Sequence, residues 1–312
     1  MEGEKEMSSK KLLLNYFFIF ILSLPANATT FVVFGDSRGD DRGVNTTILT
    51  KIVNQIIKIN PAFCLFTGDM VNGDENVEVS KQQLNHWINI MEPLLKKKNF
   101  YITFGGGHDV ISEKHEKLVQ DLFELPTNGP EDLKELCYSF DYEDIHIVCL
   151  YSNMPQDPHR LGEKQLEWLE NDLKKANNKN IFVFNHDPAF PVLIHHYKSL
   201  DKYPEERDKF WDILVKYNIK AYFCGHEHLY NCRIINGIPQ IIIGGAGAPL
   251  YRGGGGEFFH YAVVDVGKDT LKISIYDENG ILKDTITRDK ELVDYINKKI
   301  LKNKNKVQLK VY

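Results

Sequence analysis

Cysteine is scarce in this 312-residue chain: there are five, an odd number, so at least one thiol is unpaired or intermolecular. That argues against the disulfide framework on which small exported domains depend. Cys64, Cys149 and Cys224 lie inside apolar, strand-like runs, where a free thiol behaves as a small buried hydrophobe. Cys137 and Cys232 can pair or not; the sequence leaves both open. A basic excess is also missing. Lys and Arg number 38 against 43 Asp and Glu, for a net charge of −5 and a pI near 6.1, which argues against a dedicated nucleic-acid binder. The most apolar stretch near the N-terminus, Leu12 to Pro25, is short against the roughly 20 apolar residues of a membrane-spanning helix. With 43% hydrophobic and 12% aromatic residues the chain is globular, and long enough for one large core or two modest ones.

Lys10 and Lys11 precede that apolar stretch, and Ala26-Asn27-Ala28 follows it with the small-x-small pattern of a cleavage site. Residues 1–28 therefore read as a secretory signal, with an uncleaved anchor as the alternative and Met7 as an alternative start. The mature chain is expected to begin at Thr29, outside the cytoplasm (secreted or periplasmic), with no stable membrane span once the signal is removed. No cysteine follows Ala28 directly, so nothing suggests a lipid-anchored mature end.

Thr30 to Phe34, Ala62 to Phe66 and Phe100 to Phe104 read as strands. Val44 to Ile59 and Val79 to Lys97, apolar at helical spacing, read as the helices between them. Three strand–loop–helix units in a row imply parallel strands. The rhythm resumes with strands Ile145–Tyr151, Ile181–Phe184 and Lys220–Cys224 and helices Gly162–Ala176 and Glu205–Tyr217. From Leu229 on, five strands joined by turns such as Asn236-Gly237 suggest an antiparallel sheet. A last helix is expected over Asp289–Lys304, then a basic tail, 305–312. No repeat or long linker intervenes, so residues 29–304 read as one domain of two sheets packed together and flanked by helices.

Five segments place carboxylates or imidazoles where strands give way to loops: Gly35-Asp36-Ser37-Arg38, Gly68-Asp69, Gly107-His108-Asp109, His186-Asp187-Pro188 and Gly225-His226-Glu227-His228. Strand ends are where α/β folds gather functional groups. Asp and His without cysteine suit Mn, Fe or Zn. Two such ions about 3.5–4 Å apart can carry a hydroxide and grip an anionic phosphate ester. Asp36, Asp69, His186, His226 and His228 form a set able to build that pair. Either aspartate alone fits a helix cap; both together, with the histidines, fit that reading poorly. His115, His146, His159, His195 and His196 match no ligand pattern and read as structural or surface residues.

The order of these five elements resembles the calcineurin-like metallophosphoesterase superfamily, and Ile243-Gly244-Gly245-Ala246-Gly247-Ala248-Pro249-Leu250-Tyr251 resembles its exported, purple-acid-phosphatase-like branch. The resemblance implies a four-layer α/β/β/α sandwich of two mixed sheets. It implies a metal-dependent hydrolase of phosphomono- or phosphodiesters that takes a small phosphorylated substrate and no nucleic acid. By that resemblance Asp36 and His228 hold one metal, His186 and His226 the other, and Asp69 bridges them. His108 serves the leaving oxygen, with Asp109 orienting its imidazole. Two positions depart from the family pattern. Arg38 stands where the first motif has a histidine, and it reads as a phosphate clamp, since a guanidinium offers no lone pair to a metal. Gly107 stands where the third motif has an asparagine, which leaves the second metal weaker. Asn72 occupies the place of the branch's tyrosine ligand and is a candidate for the first metal; Asp40 or Asp41 are candidates for the ligand lost at Gly107. The alternative function is a degenerate phosphate-binding or structural member of the same fold.

Overall fold

The strand β1 (Thr29–Phe34) reads Thr-Thr-Phe-Val-Val-Phe and buries Phe31 to Phe34 completely. A strand without a polar face must be covered on both sides. The structure, a computed structural model, describes residues 28–96, 99–176 and 179–289. The expected signal segment (except Ala28), the last helix (except Asp289, which ends a strand) and the basic tail lie outside these residues.

After β1 come two short strands that pair antiparallel, β2 (Arg38–Gly39) and β3 (Gly43–Val44). The helix α1 (Thr46–Ile59) follows, its N-terminus capped by the Asn45 side chain, which accepts from the Ile48 N–H. Leu49, Ile52, Val53 and Ile56 form its buried stripe. Then β4 (Phe63–Phe66), α2 (Val77–Leu95) and β5 (Asn99–Ile102) complete the first half, with β4 parallel to both β1 and β5. The second half contains α3 (Glu113–Leu122), β6 (Tyr138–Tyr142), β7 (Ile145–Cys149), α4 (Glu163–Lys175), β8 (Asn180–Phe184), α5 (Pro204–Lys216) and β9 (Ala221–Cys224). It closes with β10 (Tyr230–Ile235), β11 (Ile238–Ile243), β12 (His260–Val266), β13 (Thr270–Asp277) and β14 (Leu282–Asp289).

Two six-stranded mixed sheets result, ordered β14-β13-β12-β1-β4-β5 and β10-β11-β9-β8-β7-β6. Their inner faces meet through aromatic pairs: Phe31 against Phe182 at 5.2 Å between ring centroids, and Phe63 against Phe140 at 5.6 Å. Trp87 of α2 packs on Phe66 and Phe100 of the first sheet, and Trp211 of α5 on Tyr222 of the second. Mixed sheets flanked by helices are the architecture expected from the sequence. One expectation needs correction, because the strands after Cys224 do not form one antiparallel sheet. The β10–β11 hairpin stays on the second sheet, where β11 pairs parallel with β9, while β12 crosses to pair with β1 and carries β13 and β14 along. Among the described residues, which include all five cysteines, no disulfide forms. Cys137 precedes β6 and Cys232 lies in β10, at opposite edges of one sheet. That is about five strand spacings, roughly 24 Å, against the ~7 Å limit between bridged Cα atoms.

Candidate metal centre

The C-terminal ends of β1, β4, β5, β8 and β9 converge, so the loops after all five strands reach one point, drawn from both sheets. Asp36 and Asp69 are buried there with left-handed backbones, φ 60° and 55°, and His226 has φ 70°. Such conformations cost a non-glycine residue about 1–2 kcal/mol and persist where the surroundings over-determine them. Here Asp36 donates its N–H to the Gly68 carbonyl at 2.8 Å, and its Oδ1 accepts from the His226 N–H at 2.9 Å. The second bond ties the end of β1 to the end of β9.

Four imidazoles are fixed in the same way, each with one ring nitrogen on a backbone carbonyl. A carbonyl only accepts, so that nitrogen carries a proton and, in the neutral ring, the other presents a lone pair. His186 donates from Nδ1 to Thr67 at 2.8 Å, His228 from Nδ1 to Pro249 at 2.9 Å, and His108 from Nδ1 to Asn72 at 2.7 Å. His226 donates from Nε2 to Lys198 at 2.7 Å, with His195 Nδ1 beside it at 2.5 Å. The presented nitrogens face carboxylates. His186 Nε2 lies 3.3 Å from Asp69 Oδ1, His228 Nε2 3.7 Å from Asp36 Oδ1, and His108 Nε2 3.7 Å from Asp69 Oδ2.

Three buried polar atoms of the centre make no hydrogen bond, Asp36 Oδ2, Asp69 Oδ1 and His186 Nε2, the last two 3.3 Å apart as an ion pair. Leaving buried polar groups unpaired is expensive. Glycines make the space around them: a Cβ on Gly225 would fall 2.1 Å from Asp36 Oδ2, and one on Gly105 2.1 Å from Asp69 Oδ1. Asp36, Asp69 and His186 each offer a ligand atom, all within 4.8 Å of one another. Burial, and then the neighbouring Asp69 charge, push the Asp36 carboxyl well above the ordinary range, although His186 acts against this. Burial works against the charged His186 ring, yet Asp69 and Asp36 raise it to about 9. Burial, followed by Arg38, lowers His228 to about 3. Two buried carboxylates and unpartnered imidazole nitrogens fit divalent cations of the Mn, Fe or Zn type.

The sequence-predicted residues Asp36, Asp69, His186, His226 and His228 all gather here, as does Arg38. Its Nε stands 3.8 Å from Asp69 Oδ2, and the guanidinium also bonds Tyr251. Asn72 directs its amide nitrogen to the Gly39 carbonyl at 2.7 Å. Asp109 does not orient His108. Its carboxylate instead accepts from three backbone N–H groups, those of Asp69 at 2.7 Å, Met70 at 2.8 Å and Gly105 at 3.0 Å. Burial, and then the Asp69 charge, push that carboxyl up to about 7 despite these donors. Asp40 is exposed, and Asp41 is exposed and bonded to Thr46, so neither takes the place of the missing asparagine.

Three residues with no role assigned from the sequence stand at the site. Asp187, inside the fourth motif, is fully buried beside His159, and His195 lies against His226 and Tyr251. Asp187 adjoins a predicted ligand and so had a signal; His159 and His195 come from loops with no readable spacing.

The calcineurin-like phosphoesterase family model matches residues 29–230. The chain is 25% identical over 198 residues to the probable glycerophosphodiester phosphodiesterase GpdQ of Arcobacter nitrofigilis, covering 63% of this chain and 66% of that protein. It is 24% identical over 259 residues to the Fe(3+)-Zn(2+) purple acid phosphatase 12 of Arabidopsis thaliana, covering 76% and 52%. These matches therefore span between about half and two-thirds of the relatives' lengths. In fold, it resembles the purple acid phosphatase PPD1 of yellow lupin (Lupinus luteus) with a TM-score of 0.68 at 16% identity, over 85% of this chain and 54% of that one.

Proposed function

The chain belongs to the calcineurin-like phosphoesterase family, and from that premise we propose that it hydrolyses phosphomono- or phosphodiesters with divalent cations bound among Asp36, Asp69, His186, His226 and His228. The observation that carries this reading is the set of buried ligand atoms on Asp36, Asp69 and His186 that make no hydrogen bond. When bound, such cations supply Lewis acidity and neutralise charge on the ester. The chain's own residues supply the rest. Asp69 stands between His186 on one side and His108 and Arg38 on the other, which suits it to a bridging role. With Nδ1 committed to Asn72, a protonated His108 holds its transferable proton at Nε2, on the side facing the centre. Arg38, partly exposed and next to Asp69, offers a planar fork to phosphate oxygens.

The purified chain should hydrolyse an aryl phosphate or a bis-aryl phosphate with Mn²⁺ present, and a chelator should abolish this. Asp69→Asn should remove nearly all activity; unchanged turnover in that variant would refute the two-metal reading. Arg38 and Gly107, both departures from the family pattern, favour a second reading, phosphate binding without turnover. Phosphate binding by a metal-loaded protein that hydrolyses neither ester would select it.

The N-terminal pattern supports export. Thr29 already pairs with Val266 in the first sheet, so cleavage after Ala28 leaves the fold whole. N-terminal sequencing of protein recovered outside the cytoplasm should begin at Thr29, and an N-terminus at Met1 or Met7 would refute cleavage.

A further inference from the structure

Beside the Asp36–Asp69–His186 group, a second trio is drawn from the loops after β8 and β9 and from the loop between β7 and α4. His159, Asp187 and His226 each offer one ligand atom, all within 4.8 Å of one another. Asp187 is fully buried, and its two oxygens differ. Oδ2 accepts from Ser152 Oγ at 2.9 Å and faces His159 Nδ1 at 3.0 Å; Oδ1 makes no hydrogen bond. Facing Oδ1, at 3.9 Å, is His226 Nδ1. That nitrogen carries a lone pair, because the ring's proton lies on Nε2, against Lys198. A buried carboxylate oxygen and an imidazole nitrogen 3.9 Å apart, with no hydrogen bond on the oxygen, are spaced to share a cation. Two atoms each bonded at about 2.0–2.2 Å to one ion can lie up to ~4 Å apart.

We propose that His159, Asp187 and His226 hold a divalent cation of borderline softness, such as Zn or Mn. The ion on this side of the centre is then gripped from the loops after β8 and β9 and from the loop carrying His159, and needs no side chain at position 107. The inference rests on the metal-dependent reading above and assigns its second ion. It makes the absence of an asparagine at Gly107 a relocation of the ligand and not a loss. The two ligand groups share no residue, Asp36–Asp69–His186 and His159–Asp187–His226, so a change at His159 leaves the first group intact.

The test is an equilibrium titration of the chelator-stripped full chain with Zn²⁺ against a competing chromophoric chelator, with bound ions counted by elemental mass spectrometry. Two ions are expected in the wild type. His159→Ala and Asp187→Ala should each keep one ion and bind the second more than ~100-fold more weakly, beyond the roughly 10–100-fold lost with an outer-sphere partner. His159 is 19% exposed and sits on a loop, so its variant carries the test even if Asp187→Ala does not fold. Two ions with unchanged affinity in His159→Ala overturn this assignment alone, as does a single wild-type ion insensitive to that change. A loss within 10–100-fold makes His159 a positioning residue and overturns its place in the set. A wild type that binds no ion overturns the metal-dependent reading as well.

Discussion

Replacing Asp109 separates two roles for a carboxylate next to His108: orienting that imidazole, or holding the backbone that carries Asp69. Oδ2 accepts the Asp69 and Gly105 N–H groups and Oδ1 the Met70 N–H, all buried. His108 Nδ1 is already occupied by the Asn72 carbonyl. Asp109→Ala leaves three donors unpaired, at about 1–3 kcal/mol each. A water entering the vacated space recovers part of this, so a total near 4 kcal/mol is expected. Asp109→Asn keeps the shape and one acceptor oxygen. With that oxygen on the Asp69 and Gly105 side, its amide NH₂ meets the Met70 N–H, donor against donor, at a cost of about 2–3 kcal/mol. Urea denaturation of both variants at pH 8 reads these losses, because the wild-type carboxyl, pushed to about 7 by burial and the Asp69 charge, is ionised there. The second metal-binding consequence follows from the same bonds: a displaced Asp69 should weaken ion binding by about 10–100-fold, as loss of an outer-sphere partner does. If both variants unfold within about 0.5 kcal/mol of the wild type yet lose activity as His108→Ala does, Asp109 acts on His108 and the scaffold role is wrong.

Arg38→Ala should weaken inorganic phosphate binding and raise KM while leaving the ion count intact, since a guanidinium cannot ligate a cation; loss of an ion in that variant would make Arg38 a support of the centre instead. His146, buried between Asp141 and Asp172, is disfavoured as a cation by burial, yet the hydrogen bonds its ring donates to Asp172 and Asp141 raise it above its ordinary value. Its contribution to stability is therefore fully present below about pH 6.5 and is lost as pH rises through the raised value. His146→Gln should cost about 1–3 kcal/mol at pH 6 and less at pH 9, by thermal or urea unfolding; an equal loss at both values would mean that the ring acts by packing and not by charge.

The strand-end motifs are legible because each puts a carboxylate or imidazole directly after an apolar run, four of them beside a glycine, and a strand fixes where its last residue points. Asp36, Asp69, His186, His226 and His228 could therefore be assembled before their spatial arrangement was known. Features that depend on tertiary choice could not. A hairpin signal such as Asn236-Gly237 gives the pairing of β10 with β11 but not the sheet that receives β12. The polar helix α3 buries only His115, Leu118 and Val119, too few positions to show a period. Adjacency in the chain also misled at His108-Asp109. The two residues lie in a turn, where the imidazole faces Asp69 Oδ2 while the carboxylate takes the backbone N–H groups of the loops after β4 and β5. Neighbours part in the same way at His186-Asp187. There His186 reaches across to Asp69, after β4 of the first sheet, while Asp187 meets His159 and His226. One dipeptide at the end of β8 thus serves both ligand trios, which ties the fate of the second ion to a residue that the sequence marks only by its place beside His186.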